Sequence, residues 1–237
     1  PLAGAPRQVR AERLDLVATV EEMELTGPAR LDGTPLDVRW REIYGGPGEG
    51  REIAVSGPVT PELLAAEGAE LPAFRAGRVP VRVTVEDGSG GTTFALDADL
   101  GPAALGVDLL RWEKTAGAAG RLEARGRLGA DGAVEIDRVD LTAGTLEARG
   151  RLRVGPGGAV SEAVFQRLAI EGRADLALEV STSADGATAV TIEGAHLDLS
   201  DHVADPPETG PPSGAPAQVD ARFDRLRLTP GIVLTDV

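Results

Sequence analysis

The residues of this chain that could do chemistry are few and dispersed. Its two histidines, His196 and His202, lie near Asp198, Asp201 and Asp205. Imidazole and carboxylate groups so placed could ligate a divalent metal. Side chains alternate along an extended segment, which puts His196 and Asp198 on one solvated face. No metal centre is expected. Carboxylates are abundant, and a suitably separated pair could hydrolyse a glycoside, yet no spacing brings two together. A Gly-x-Ser-x-Gly elbow, a P-loop and a His-Glu-x-x-His pair are all missing from the sequence. Trp112 and Lys114 are the remaining candidates, and Trp112 reads as a packing anchor at a turn. The chain is expected to be neither an enzyme nor the holder of a cofactor.

The elements that carry these residues are strands. Leu122 to Leu128 and Leu146 to Leu152 both read Leu-Glu-Ala-Arg-Gly-Arg-Leu and start 24 residues apart. Leu, Ala, Gly and Leu fall on one parity; Glu, Arg and Arg fall on the other. That period of two marks a strand with one small apolar face and one charged face. A helix would put Leu122 and Leu128 on opposite sides.

Further alternating segments run over Leu36 to Trp40, Ile53 to Val59, Val79 to Glu86 and Thr92 to Leu100. Val134 to Leu141, Val164 to Ile170, Leu176 to Val180, Val190 to Leu199 and Val219 to Leu228 continue the series. Asp87 to Gly91 joins the clearest hairpin. Pro80 belongs at a strand end or edge, because it lacks an amide donor. Val134 and Ile136 are even whereas Val139 and Leu141 are odd, which predicts a bulge near Asp137 and Arg138. Thr60 to Gly68 is the one predicted helix. Thr60 suits the N-cap, Pro61 the first turn, Glu62 the positive end of the dipole and Gly68 the position past the end. Leu63 and Leu64 should seat it on the sheet or over one of its ends.

The predicted architecture is mainly β: an elongated, curved antiparallel sheet with one short helix near 60–67. Residues 1–203 form its main segment. Residues 204–217 are a Pro/Gly-rich loop or linker, and 218–237 start a further β repeat. Aromatic residues are 3% of the chain and the formal net charge is −14. The scarcity of large rings predicts a thin core, and the negative charge argues against a nucleic-acid partner. No cysteine is present, which excludes disulfides and thiolate metal sites. No apolar run is long enough to span a membrane. The chain starts at Pro1 without Met or a signal peptide and ends at Val237 inside an alternating pattern. It therefore reads as a segment of a longer protein.

Three stretches carry a resemblance. Ala98-Asp99-Leu100 is followed by Leu109-Leu110-Arg111-Trp112-Glu113-Lys114 and Gly117. Val190 to Leu199 stands ahead of a Pro-rich insertion, and Phe223 to Leu228 looks like a repeat starting again. Taken in order over residues 10–237, they resemble the AsmA-like superfamily, especially its YhdP-like branch in Gram-negative bacteria. The resemblance implies a periplasmic protein with an inner-membrane anchor and an outer-membrane contact in parts outside this chain. It implies a U-shaped β-groove that carries phospholipid between the two membranes, with acyl chains as the partner. The expected lining is Val81, Val83, Val85, Phe94, Leu96, Leu122, Leu128, Leu146 and Leu152. The alternative is a structural or interaction β module of the cell envelope whose apolar residues pack on one another and bind no ligand.

Overall fold

A computed structural model describes residues 9–46, 48–66, 71–156, 158–183, 186–200 and 217–237. The linker expected at 204–217 lies almost wholly outside these residues, as do Gly68, Asp201, His202 and Asp205. The chain is mainly β, and one large curved sheet, open at both edges, dominates it. That sheet begins with β1 (Val9–Arg10) and β2 (Asp15–Ala18), which share the edge beside β3 (Glu22–Leu31). β4 (Thr34–Ile43) and β5 (Gly50–Val59) come next in the sheet. The chain then leaves the sheet through α1 (Pro61–Ala66) and β6 (Phe74–Gly77). It returns as β7 (Val79–Gly88) and β8 (Gly91–Asp99). It leaves again as β9 (Ala103–Val107), a 3-10 turn over Asp108–Leu110, and β10 (Trp112–Lys114). β11 (Gly120–Leu128), β12 (Val134–Ala143), β13 (Leu146–Val154), β14 (Val160–Ile170), β15 (Ala174–Thr182) and β16 (Thr188–Asp198) then run as a meander. β17 (Ala217–Thr229) and β18 (Ile232–Thr235) complete the 15-stranded sheet.

Turn chemistry explains the local joins. Asp32 and Gly33 both have positive φ and close the β3–β4 hairpin in two residues, as a right-handed strand twist requires. Gly88 pairs with Gly91, so Ser89 and Gly90 turn the expected β7–β8 hairpin. Pro80 lies at the start of β7, one residue before the β7–β8 ladder begins at Val81 and Ala98. The Thr60 hydroxyl caps α1 by accepting the amide of Leu63 at 3.3 Å, as the sequence predicts. The same hydroxyl helps lower the pKa of Glu62. α1 neighbours β6, and Leu63 and Leu64 are partly buried.

Register makes one face of the sheet apolar. Direct cross-strand partners share a face. One row reads Leu25, Trp40, Ile53, Val85, Phe94, Gly126, Ile136, Leu152, Ala163, Val180, Val190 and Val219. The next row reads Val38, Val55, Val83, Leu96, Ala124, Val139, Gly150, Phe165, Leu178 and Ile192. The opposite face carries an ion-pair lattice, with Arg121 on Asp97 at 2.8 Å, Arg153 on Glu135 at 2.7 Å and Arg41 on Glu22 at 2.6 Å.

The bulge expected near Asp137 and Arg138 is present. The register shifts between Ile136 and Val139, which returns the odd-numbered Val139 and Leu141 to the apolar face. β14 makes the same correction between Phe165 and Leu168, and β16 does so beside Gly194. The repeated heptapeptides lie on β11 and β13, flanking β12. Their shared glycine answers these bulges. A Cβ on Gly126 would lie 1.9 Å from the Glu135 carbonyl oxygen, and one on Gly150 would lie 2.4 Å from that of Val164. β17 pairs with β16 in parallel, which alternation alone does not signal.

Candidate functional site

The apolar face is divided into a covered end and an open stretch. β6, β9 and β10 form a separate three-stranded sheet in the order β10-β9-β6. This small sheet packs over the strand ends that carry Val79, Ala98, Leu100, Ala143, Leu146, Ile170 and Ala174. Ala103 and Ala143 are fully buried there, and Ile170 is 2% exposed. Across the open stretch most of the larger apolar side chains stay partly exposed; Val139 is buried, whereas Leu128 is 40% exposed.

The cover is fastened by the residues of the Leu-x-Trp-x-Lys-x-x-Gly stretch. Trp112 is buried in the core beneath the small sheet, and Leu110 packs beside it. This is the anchoring role expected of Trp112. Its indole nitrogen has no hydrogen-bond partner among the described residues. Lys114 is 3% exposed. Its Nζ donates to the carbonyl oxygens of Leu100 at 2.7 Å, Ala103 at 2.9 Å, and Gly101 and Thr115 at 3.3 Å. The Leu100, Gly101 and Ala103 carbonyls belong to the corner where the chain passes from β8 to β9, and that of Thr115 directly follows β10. One ammonium therefore ties that corner to β10. Burial pushes the Lys114 pKa below its ordinary value, and the Asp99 carboxylate pulls it back up. Gly117, at φ 95°, turns the chain so that its amide reaches the Gly101 carbonyl at 2.8 Å.

All nine expected lining residues fall on the apolar face, but they divide between its two parts. Val83, Val85, Phe94, Leu96 and Leu152 occupy the two central rows. Leu128 stands nearer the hairpin rim, level with Val134. Leu146 is 8% exposed and belongs to the covered core, while Val81, Leu96 and Leu122 pack against its margin. The His196 position pairs with Asp175, on the face away from Leu197. Asp198 accepts the Ser200 hydroxyl at 2.6 Å and the Ser200 amide at 2.9 Å, which lower its pKa, and Arg227 stands at 3.4 Å. Among the described residues no group of three or more potential ligands is placed to hold a metal.

A polar exception lies at the hairpin rim of the apolar face. Glu42, Arg51, Asp87 and Thr92 are successive cross-strand partners on β4, β5, β7 and β8. Arg51 pairs with Asp87 at 2.9 Å, and the Thr92 hydroxyl donates to the same carboxylate at 2.9 Å. The signal in sequence is the interruption of an apolar parity by a charge at each strand end: Trp40 then Glu42, Ile53 preceded by Arg51, Val85 then Asp87.

No family model, curated protein or solved structure matches this chain.

Proposed function

We propose that this chain is a segment of a periplasmic bridge-like lipid-transport protein. Its apolar β face shields phospholipid acyl chains as they pass between inner and outer membranes, and the full-length protein is anchored in the inner membrane. One observation carries the reading: apolar rows run across the sheet from β3 to β17, and most of their large side chains stay partly exposed. A continuous apolar surface of this kind marks an interaction site. Each acyl methylene buried on it gains about 0.8 kcal/mol. A tail of about sixteen carbons thus gains on the order of 10 kcal/mol before ordering costs. Similar residues in adjacent strands offer near-equal positions, so a tail moves along without re-entering water. The resemblance of Trp112, Lys114 and Gly117 to the AsmA-like pattern supports the same reading.

A photocrosslinking amino acid at Val83, expressed in a Gram-negative host, should capture phospholipid, and the same group at Leu146 should capture far less. Absence of lipid adducts at Val83, together with no co-purifying phospholipid, overturns the proposal. The exposed edge residues Leu16 and Val17 on β2 and Ile232 on β18 favour a second reading. In it the chain is an envelope module that adds a partner's strand to an open edge.

A further inference from the structure

Glu42, Arg51 and Asp87 interrupt an otherwise apolar face. Among the described residues of β3 to β16, they are the ionisable side chains that register places on the apolar face. They occupy three adjacent strands at one rim. The remaining rim positions of that face on β11 to β14 are Leu128, Val134, Val154 and Val160. The Arg51 and Asp87 side chains are 46% and 42% exposed, so their ion pair holds weakly and exchanges readily with a charged ligand.

We propose that this triad seats the headgroup of a zwitterionic glycerophospholipid, a phosphodiester joined to a primary or quaternary ammonium. The inference rests on the lipid-groove reading and adds its headgroup class. The planar Arg51 guanidinium suits two phosphate oxygens at once. Asp87 and Glu42, on either side of it, take the ammonium. Trp40, Ile53 and Val85 stand two residues farther along their strands, about 7 Å away. Tails leaving a headgroup at the triad therefore meet the central apolar row directly. An anionic headgroup with no ammonium leaves both carboxylates facing its negative charge, and is disfavoured.

The test is native mass spectrometry of the full chain incubated with equimolar dioctanoyl phosphatidylethanolamine and dioctanoyl phosphatidylglycerol. The wild type should bind the ethanolamine lipid at least about threefold over the glycerol lipid. Asp87→Asn and Glu42→Gln should each erode that ratio, and the double variant should bring it near one. Arg51→Gln should lower occupancy by both lipids. Arg121→Gln, on the opposite face, should change nothing. Because the rim side chains are only partly buried, these variants should melt close to the wild type. Equal binding of both lipids by the wild type, or an unchanged ratio in the double variant, overturns the headgroup seat while leaving the groove standing. Binding of neither lipid overturns both.

Discussion

The covered end and the open stretch of the apolar face are built from the same residue types, yet they do different work. Leu146 and Leu152 belong to one seven-residue repeat on one strand. Leu146 is 8% exposed beneath the small sheet, and Leu152 is only partly buried on the open stretch. The difference comes from a second layer over one of them, since their local sequence is identical in kind. Apolar side chains under a cover stabilise the fold. The same side chains without one are left available to a ligand.

Substitution should separate the two regions, with the largest effect under the cover. Trp112→Ala removes the anchor of the small sheet and should cost about 3–5 kcal/mol in chemical denaturation. It should also raise lipid capture at Leu146 by uncovering it. Lys114→Met leaves the Leu100 and Ala103 carbonyls without their buried donor, and should cost about 2–3 kcal/mol. Gly126→Ala forces a methyl against the Glu135 carbonyl at the bulge. A loss of about 1–3 kcal/mol is expected, with no loss of lipid contact at Val83. Val83→Ala, on the open stretch, should change stability by about 1 kcal/mol or less, while weakening lipid binding. Equal destabilisation by Val83→Ala and Trp112→Ala would erase the distinction between the regions.

The smallest effect is on pH dependence. Lys114 has a lower pKa in the folded chain than in the unfolded one. Between the folded value and the ordinary value of about 10.4, the unfolded chain binds more protons. Stability therefore rises with pH across that interval. Chemical denaturation of the wild type and Lys114→Met over the alkaline range should show this rise in the wild type alone.

Much of the large sheet was legible because strand alternation is a local pattern. Val134 to Leu141 even disclosed its bulge, since an extra residue must reverse the parity of every residue beyond it. Thr60 and Pro61 disclosed the start of α1 through capping chemistry. The parallel β16–β17 pairing was not legible, because it depends on a long connection and leaves no mark on either strand. The cover was also hidden. β9 and β10 are short, and nothing in Ala103 to Lys114 states which face of a distant sheet they will meet. Lys114 could be singled out by type, but its four carbonyl partners come together only in three dimensions. Glu42, Arg51 and Asp87 were visible as charges, and their alignment awaited the register that joins β4, β5 and β7.

The inserted residues in β12, β14 and β16 recur on every second strand, two of them facing a glycine of the repeated heptapeptide. Each insertion lengthens one strand relative to its neighbours and bends the ribbon locally. The backbone thus contributes its own arch, as voussoirs do in masonry. An arch made this way needs no filling to keep its form, so on the proposed function a tail could depart without the vault falling in.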